Sequence, residues 1–119
     1  MQSRLFQPGI GHRAHFDLSL DDLRTLVTEY RERGWRPHLM QVQVGSSDFR
    51  CVCVFRDNRG GLRWDFSFRI TQAELEAEII KRQNDGLYPH SIGSFAETNE
   101  SGQSEPRFVV MWMDREQRQ

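Results

Sequence analysis

Phe68-Arg69-Ile70-Thr71-Gln72-Ala73-Glu74-Leu75 repeats, 52 positions on, the pattern of Phe16-Asp17-Leu18-Ser19-Leu20-Asp21-Asp22-Leu23. Each stretch runs from an aromatic and an aliphatic residue into Ser or Thr, with an acid three positions further on and Leu directly after it. The match continues outward at the same offset, with Gly34-x-x-Pro37-His38 answered by Gly86-x-x-Pro89-His90. The register then slips by five, so that Arg50-x-Val52 answers to Arg107-x-Val109, Phe55 to Trp112 and Asp57 to Asp114. Two units follow, about 11–57 and 62–114, within a chain of 119 residues. Self-similarity at a fixed period marks a repeat architecture in which neighbours cover each other's apolar faces. A chain of this length is one domain long, so the two units are expected to share a single core over 1–119.

Local patterns give each unit the order β-α-β-β. Residues 13–18 alternate, with Ala14, Phe16 and Leu18 on one face and Arg13, His15 and Asp17 on the other, the period of a half-buried strand. Ser19 with Asp22, and Thr71 with Glu74, are N-cap pairs that satisfy backbone donors at a helix start. Leu23, Val27 and Tyr30 in the first unit, and Leu75 and Ile79 in the second, follow at helical spacing. Gly34 and Gly86 supply left-handed termini, and Pro37 and Pro89 prevent continuation. Further strands are expected at 39–44 and 49–55, and at 91–96 and 107–113. The polar stretches 45–48 and 97–105 read as loops between them, the second a mobile hairpin loop.

The run Asp57-Asn58-Arg59-Gly60-Gly61 reads as a hairpin turn joining the units through paired edge strands. The expected fold is therefore α+β: two pseudo-symmetric β-α-β-β repeats forming one antiparallel sheet, with two helices packed on one face. Both faces of the last strand of each unit are apolar, with Cys51, Cys53 and Phe55 opposite Val52 and Val54, and Val110 and Trp112 opposite Val109, Met111 and Met113. Such strands are either central in a sheet that curls over its second face, or they meet a homodimer partner or another protein. Trp112 is thus a candidate contact residue as well as a core one.

Charge excludes some functions. A net charge of -1 lacks the basic excess of a phosphate-driven nucleic-acid binder. The strand 49–55 has the aromatics and arginine of an RNA-binding strand but none of its glycines. No apolar run is long enough to span a bilayer and no signal-peptide core follows Arg4, so the chain reads as cytoplasmic, with no membrane partner. Cys51 and Cys53 share one strand face, which favours free thiols in a reducing compartment.

His38 and His90 are the leading candidates for chemistry. Each follows a unit-equivalent Pro, and a related pair of imidazoles could share a metal or transfer protons, as in a small hydrolase or metal-dependent enzyme. Equally, a repeat copies structural residues as readily as functional ones. Cys51-x-Cys53 has the wrong spacing for a zinc knuckle, and the equivalent positions, Phe108 and Val110, mark it as core. The acids Asp21 and Asp22 suit a helix first turn, and Glu76 and Glu78 a solvated face. Residues 58–61 lack the Lys and the helix of a phosphate-binding loop. Neither a catalytic residue nor a metal or cofactor is expected, and the reading is a non-catalytic module that binds a protein or peptide.

S/T-x-x-D/E opening a helix, Gly-(aromatic/Leu)-x-Pro-His after it, and Arg-x-Val before Trp or Phe in the last strand resemble the bacterial tandem repeat family. The resemblance runs from Arg13 to Asp114, with Phe55 departing from the Trp found at Trp112. Members carry several such units, some beside serine/threonine kinase domains and some beside β-lactamase-like hydrolase domains. The resemblance implies an accessory interaction or regulatory module of a larger protein and carries over no catalytic residue.

Overall fold

The sequence places its helix signals without ambiguity, and both helices form where those signals stand. In the computed structural model, which describes residues 11–43 and 48–115, the order is β1 (His12–Leu18), α1 (Leu20–Glu32), β2 (Trp35–Val42), β3 (Cys51–Asp57), β4 (Trp64–Ile70), α2 (Gln72–Asn84), β5 (Leu87–Thr98) and β6 (Ser104–Asp114). Ser19 and Thr71 each close a full capping box, with Asp22 and Glu74 returning a bond to the cap N–H. Each box satisfies two N–H groups that have no intrahelical partner. Gly34 and Gly86 end the helices at φ of 79° and 85°, a region open to glycine at no steric cost. The loop expected over 45–48 lies outside the described residues except for Asp48.

The strands form two three-stranded antiparallel sheets, ordered β1-β3-β2 and β4-β6-β5, and not the single sheet expected from the sequence. β3 pairs with β1 on one side and β2 on the other, so it has no free edge to offer β4. Residues 57–61 do not form the expected hairpin turn between paired edge strands: the Asn58 side chain accepts from Leu62 N–H and donates to the Leu62 carbonyl, closing the segment on itself. That turn redirects the chain into a second sheet.

The helices do not share one face either. Along β6, Val110 and Trp112 form a cluster with Leu75 of α2 and Leu87, while Val109, Met111 and Met113 join Trp64, Phe66 and the α1 residues Leu23, Val27 and Tyr30. α1 touches both sheets. Tyr30 stacks on Phe55 at 4.2 Å, while Arg24 and Arg31 lie over the rings of Phe68 and Trp64 at 5.3 and 3.9 Å. The sheets approach each other along β2 and β5, where Ser91 Oγ donates to the Met40 carbonyl and Gly93 lies against Val42. The second face of β6, which from sequence needed either a curled sheet or a partner, is thus covered inside the chain. Asp65, at the edge of the second sheet, accepts from Arg31 of α1 and Arg82 of α2, tying both helices to β4.

Two further expectations change. The alternation of β1 breaks at a bulge between His15 and Leu18, where Asp17 has φ 56°; Leu18 and His15 turn inward and Phe16 is 70% exposed. An extra residue in one strand reverses which face the following side chains take. A bulge also lies between Ser67 and Ile70, where Arg69 has φ 55°. The second change is at 97–105, where the expected hairpin loop is shorter, confined to 99–103: β5 and β6 stay paired to Thr98 and Ser104. Asn99 Oδ1 accepts from the N–H groups of Ser101 and Gln103, and Glu97 pairs with both Arg69 and Arg107. Side-chain bonding of this kind replaces the missing apolar signal and orders the turn.

Candidate functional site

Proline decides the geometry around His38 and His90. Pro37 and Pro89 have no N–H to give the ladder, and each is followed by a register shift, between Pro37 and Leu39 and between Pro89 and Ser91. His38 and His90 are the extra residues of these irregularities, released from cross-strand pairing. Because β2 and β5 lie side by side, both imidazoles line one cavity of about 180 Å³, with Arg36, Leu62, Tyr88 and Asp114. The His12 ring meets His38 edge-on at 5.2 Å, and Tyr88 lies 5.8 Å from His90. The histidine pair expected from sequence is therefore brought together.

The electrostatics of the cavity are cationic. Burial first, then the charges of His12, Arg36, Arg56 and His90, push the His38 pKa below its ordinary value of 6.5. The carboxylate in the lining, Asp114, is engaged elsewhere: Arg63 donates to it from its backbone N–H at 2.9 Å and from its guanidinium at 3.1 and 2.7 Å. The Arg63 hydrogen bond holds the Asp114 carboxyl below the usual carboxylate range. A carboxylate so occupied does not orient an imidazole for proton transfer in the way a catalytic triad requires.

Trp112 lies away from this cavity. It is fully buried beneath α2, with its indole N–H donating to Ser67 Oγ at 2.9 Å and the Arg82 guanidinium over its ring at 5.3 Å. As a contact residue it is corrected to a core residue. Cys51 and Cys53 are likewise core, and burial pushes the Cys51 thiol up to about 12 and the Cys53 thiol further, so both stay protonated and unreactive. Among the described residues, no group of three or more His, Cys, Asp or Glu is arranged to hold a metal ion, and no helix is long and apolar enough to cross a membrane.

His15 is the histidine whose role the sequence alternation misses. The regular ladder sets it opposite buried Cys53, and the bulge that follows lets Leu18 share that inner face; its Nε2 lies 2.9 Å from the Tyr30 hydroxyl and its ring 6.2 Å from Phe55. Burial and the Arg13 charge lower its pKa from 6.5, with Glu29 opposing. For both His15 and His38 the unfolded chain binds the proton more readily than the folded one, so stability rises with pH between the folded pKa and 6.5. Urea midpoints are expected to be flat above pH 7.5 and to fall as the pH drops through 6.5 and below, and His15→Phe is expected to flatten that fall. An unchanged midpoint down to pH 5 would contradict it.

A second feature, not legible from alternation, is the outer face of the first sheet. Ala14, Leu39 and Val54 stand in register across β1, β2 and β3, as do His12, Arg36 and Arg56. Leu39 is 40% exposed, and Val52, Val54 and Ala14 are half-buried beside the exposed Phe16. Apolar residues on both faces of β3 were the available signal. The result is an open apolar strip with a cationic end, whose counterpart in the second sheet is covered by α1. No family model matches the chain, and no curated protein or solved structure matches it.

Proposed function

We propose that the chain is a non-catalytic interaction module of two equivalent β-α-β-β units, an accessory part that binds a protein or peptide through the outer face of its first sheet. The repeat reading is supported by the same strand order in both sheets and by capping boxes, left-handed residues and proline-linked bulges that recur 52 positions apart. The single observation that carries the binding reading is the open strip of Phe16, Leu39, Val52 and Val54. Contiguous exposed apolar surface is uncommon on a monomer and marks contact sites. The hydrophobic dye ANS, titrated while methyl NMR signals are followed, is expected to shift Leu39, Val52 and Val54 selectively, and Val54→Asp is expected to remove the shifts. Dye binding that leaves those methyls unmoved would overturn the reading.

A second reading, a small hydrolase or metal-dependent enzyme, is favoured by one observation, the shared cavity of His38 and His90. It requires the two imidazoles to titrate as a coupled pair or to take up a metal together.

A further inference from the structure

The outer face of the first sheet has an internal template for its occupant. In the second sheet, the corresponding face is built of Trp64, Phe66, Val109 and Met111 and is covered by α1, with Arg24 over Phe68 and Arg31 over Trp64. The residues 52 positions earlier in β1, and 57 earlier in β3, are His12, Ala14, Phe16, Val52 and Val54, the open strip described above. We infer that this strip receives helix α2 of a second copy of the chain, head to tail, as the second sheet receives α1. The inference rests on the module reading and names its partner.

α2 has the side chains for the task. Its inner stripe holds Leu75 and Ile79 against the second sheet, and its outer surface leaves Ile80 65% exposed beside Glu76 and Gln83, all free of the first cluster. The positions that answer to Arg24 and Arg31 of α1 are Glu76 and Gln83. With the same crossing direction, the C-terminal turn of α2 lies over His12, as that of α1 lies over Trp64. There the helix carbonyls and exposed Asp85 meet the guanidinium groups of Arg56 and Arg36. The negative end of a helix dipole against a cationic cluster is favourable. One helix on one sheet face is a small interface, below about 1,200 Å² in total, so association is weak and grows at concentrations above about 0.1 mM.

A head-to-tail contact uses different surfaces on each copy, so it propagates rather than closing at a dimer. Sedimentation of the full chain is expected to show a mass rising from 14.1 kDa past the dimer as concentration increases. Val54→Asp on the sheet face and Ile80→Asp on the helix are each expected to weaken association at least tenfold. An equimolar mixture of the two variants keeps one intact sheet face and one intact helix, and is expected to form a dimer that stops there. A wild-type mass that stays monomeric to about 1 mM, or a mixture that does not associate, would overturn the inference. Should Val54→Asp fail to fold, Leu39→Asp tests the same face at an exposed position. The dye titration keeps the two levels apart: a monomeric chain whose strip methyls still respond to ANS loses the self-docking contact and retains the module reading.

Discussion

Trp112→Ala is expected to cost roughly 3–5 kcal/mol of folding stability. Trp112 has no exposed surface, fills the space between β6 and α2 with Leu75, Leu87 and Val110, and lies under the Arg82 guanidinium. Its removal leaves a cavity that the backbone of a central strand cannot collapse into, and strands the Ser67 hydroxyl, itself 8% exposed, without its donor. Trp112→Phe keeps most of the volume and loses the hydrogen bond, so about 1–2 kcal/mol is expected. With total stabilities of about 5–15 kcal/mol for a domain, the alanine variant is expected to be partly unfolded at 37 °C. Urea unfolding with an unchanged m-value measures both. A cost below about 1 kcal/mol for Trp112→Ala would mean that the α2 cluster does not contribute to global stability.

Gly93→Ala is expected to destabilise as well, and its sign is the informative part. Replacing Gly by Ala inside a strand ordinarily stabilises, by roughly 0.5–1 kcal/mol, because glycine loses more entropy on folding. Here a Cβ on Gly93 would stand 2.0 Å from Val42 Cγ2 and 2.8 Å from Val42 Cβ. A branched side chain anchored in β2 has little room to yield, so β2 and β5 must move apart, carrying with them the Ser91–Met40 hydrogen bond. Overpacking of this kind costs about 1–3 kcal/mol. Val42→Ala in the same chain is expected to recover most of that cost, a coupling that two independent sites would not show. Neutral or stabilising behaviour of Gly93→Ala would mean that the two sheets do not meet at this point.

Much of the local structure was legible because single residues dictate it. Ser19 with Asp22, Thr71 with Glu74, and the two glycines at 34 and 86 mark the helices to within a residue. The partition of strands between sheets was not legible, since it depends on β3 being flanked on both sides and on Asn58 folding the linker back on itself. Neither fact leaves a hydrophobic period. The sharing of one inner face by His15 and Leu18 was hidden for a related reason, because the bulge with Asp17 at positive φ lies between them and inverts the expected faces. The hairpin at 97–105 was legible, but not how far its strands run, because pairing out to Thr98 and Ser104 is accompanied by Asn99 hydrogen bonds and the Glu97–Arg107 pair and not by apolar side chains.

The candidate site divides in the same way. The constant offset between His38 and His90 pointed to a related pair, and β2 beside β5 brings the two into one cavity. That Asp114 is held by Arg63, and that Trp112 lies on the opposite side of β6, depend on tertiary contacts that spacing does not encode. The open strip on the first sheet was foreshadowed by the apolar second face of β3, while the equally apolar second face of β6 turned out to be covered by α1.

The measurement that separates a binding module from a histidine-based enzyme most directly is an NMR pH titration of the four imidazoles, with and without Zn²⁺. The module account predicts that His15 and His38 titrate below 6.5 and that no Zn²⁺ response is confined to the cavity. Zn²⁺-induced changes restricted to His38, His90 and His12 would contradict it and make the cavity a metal or catalytic centre.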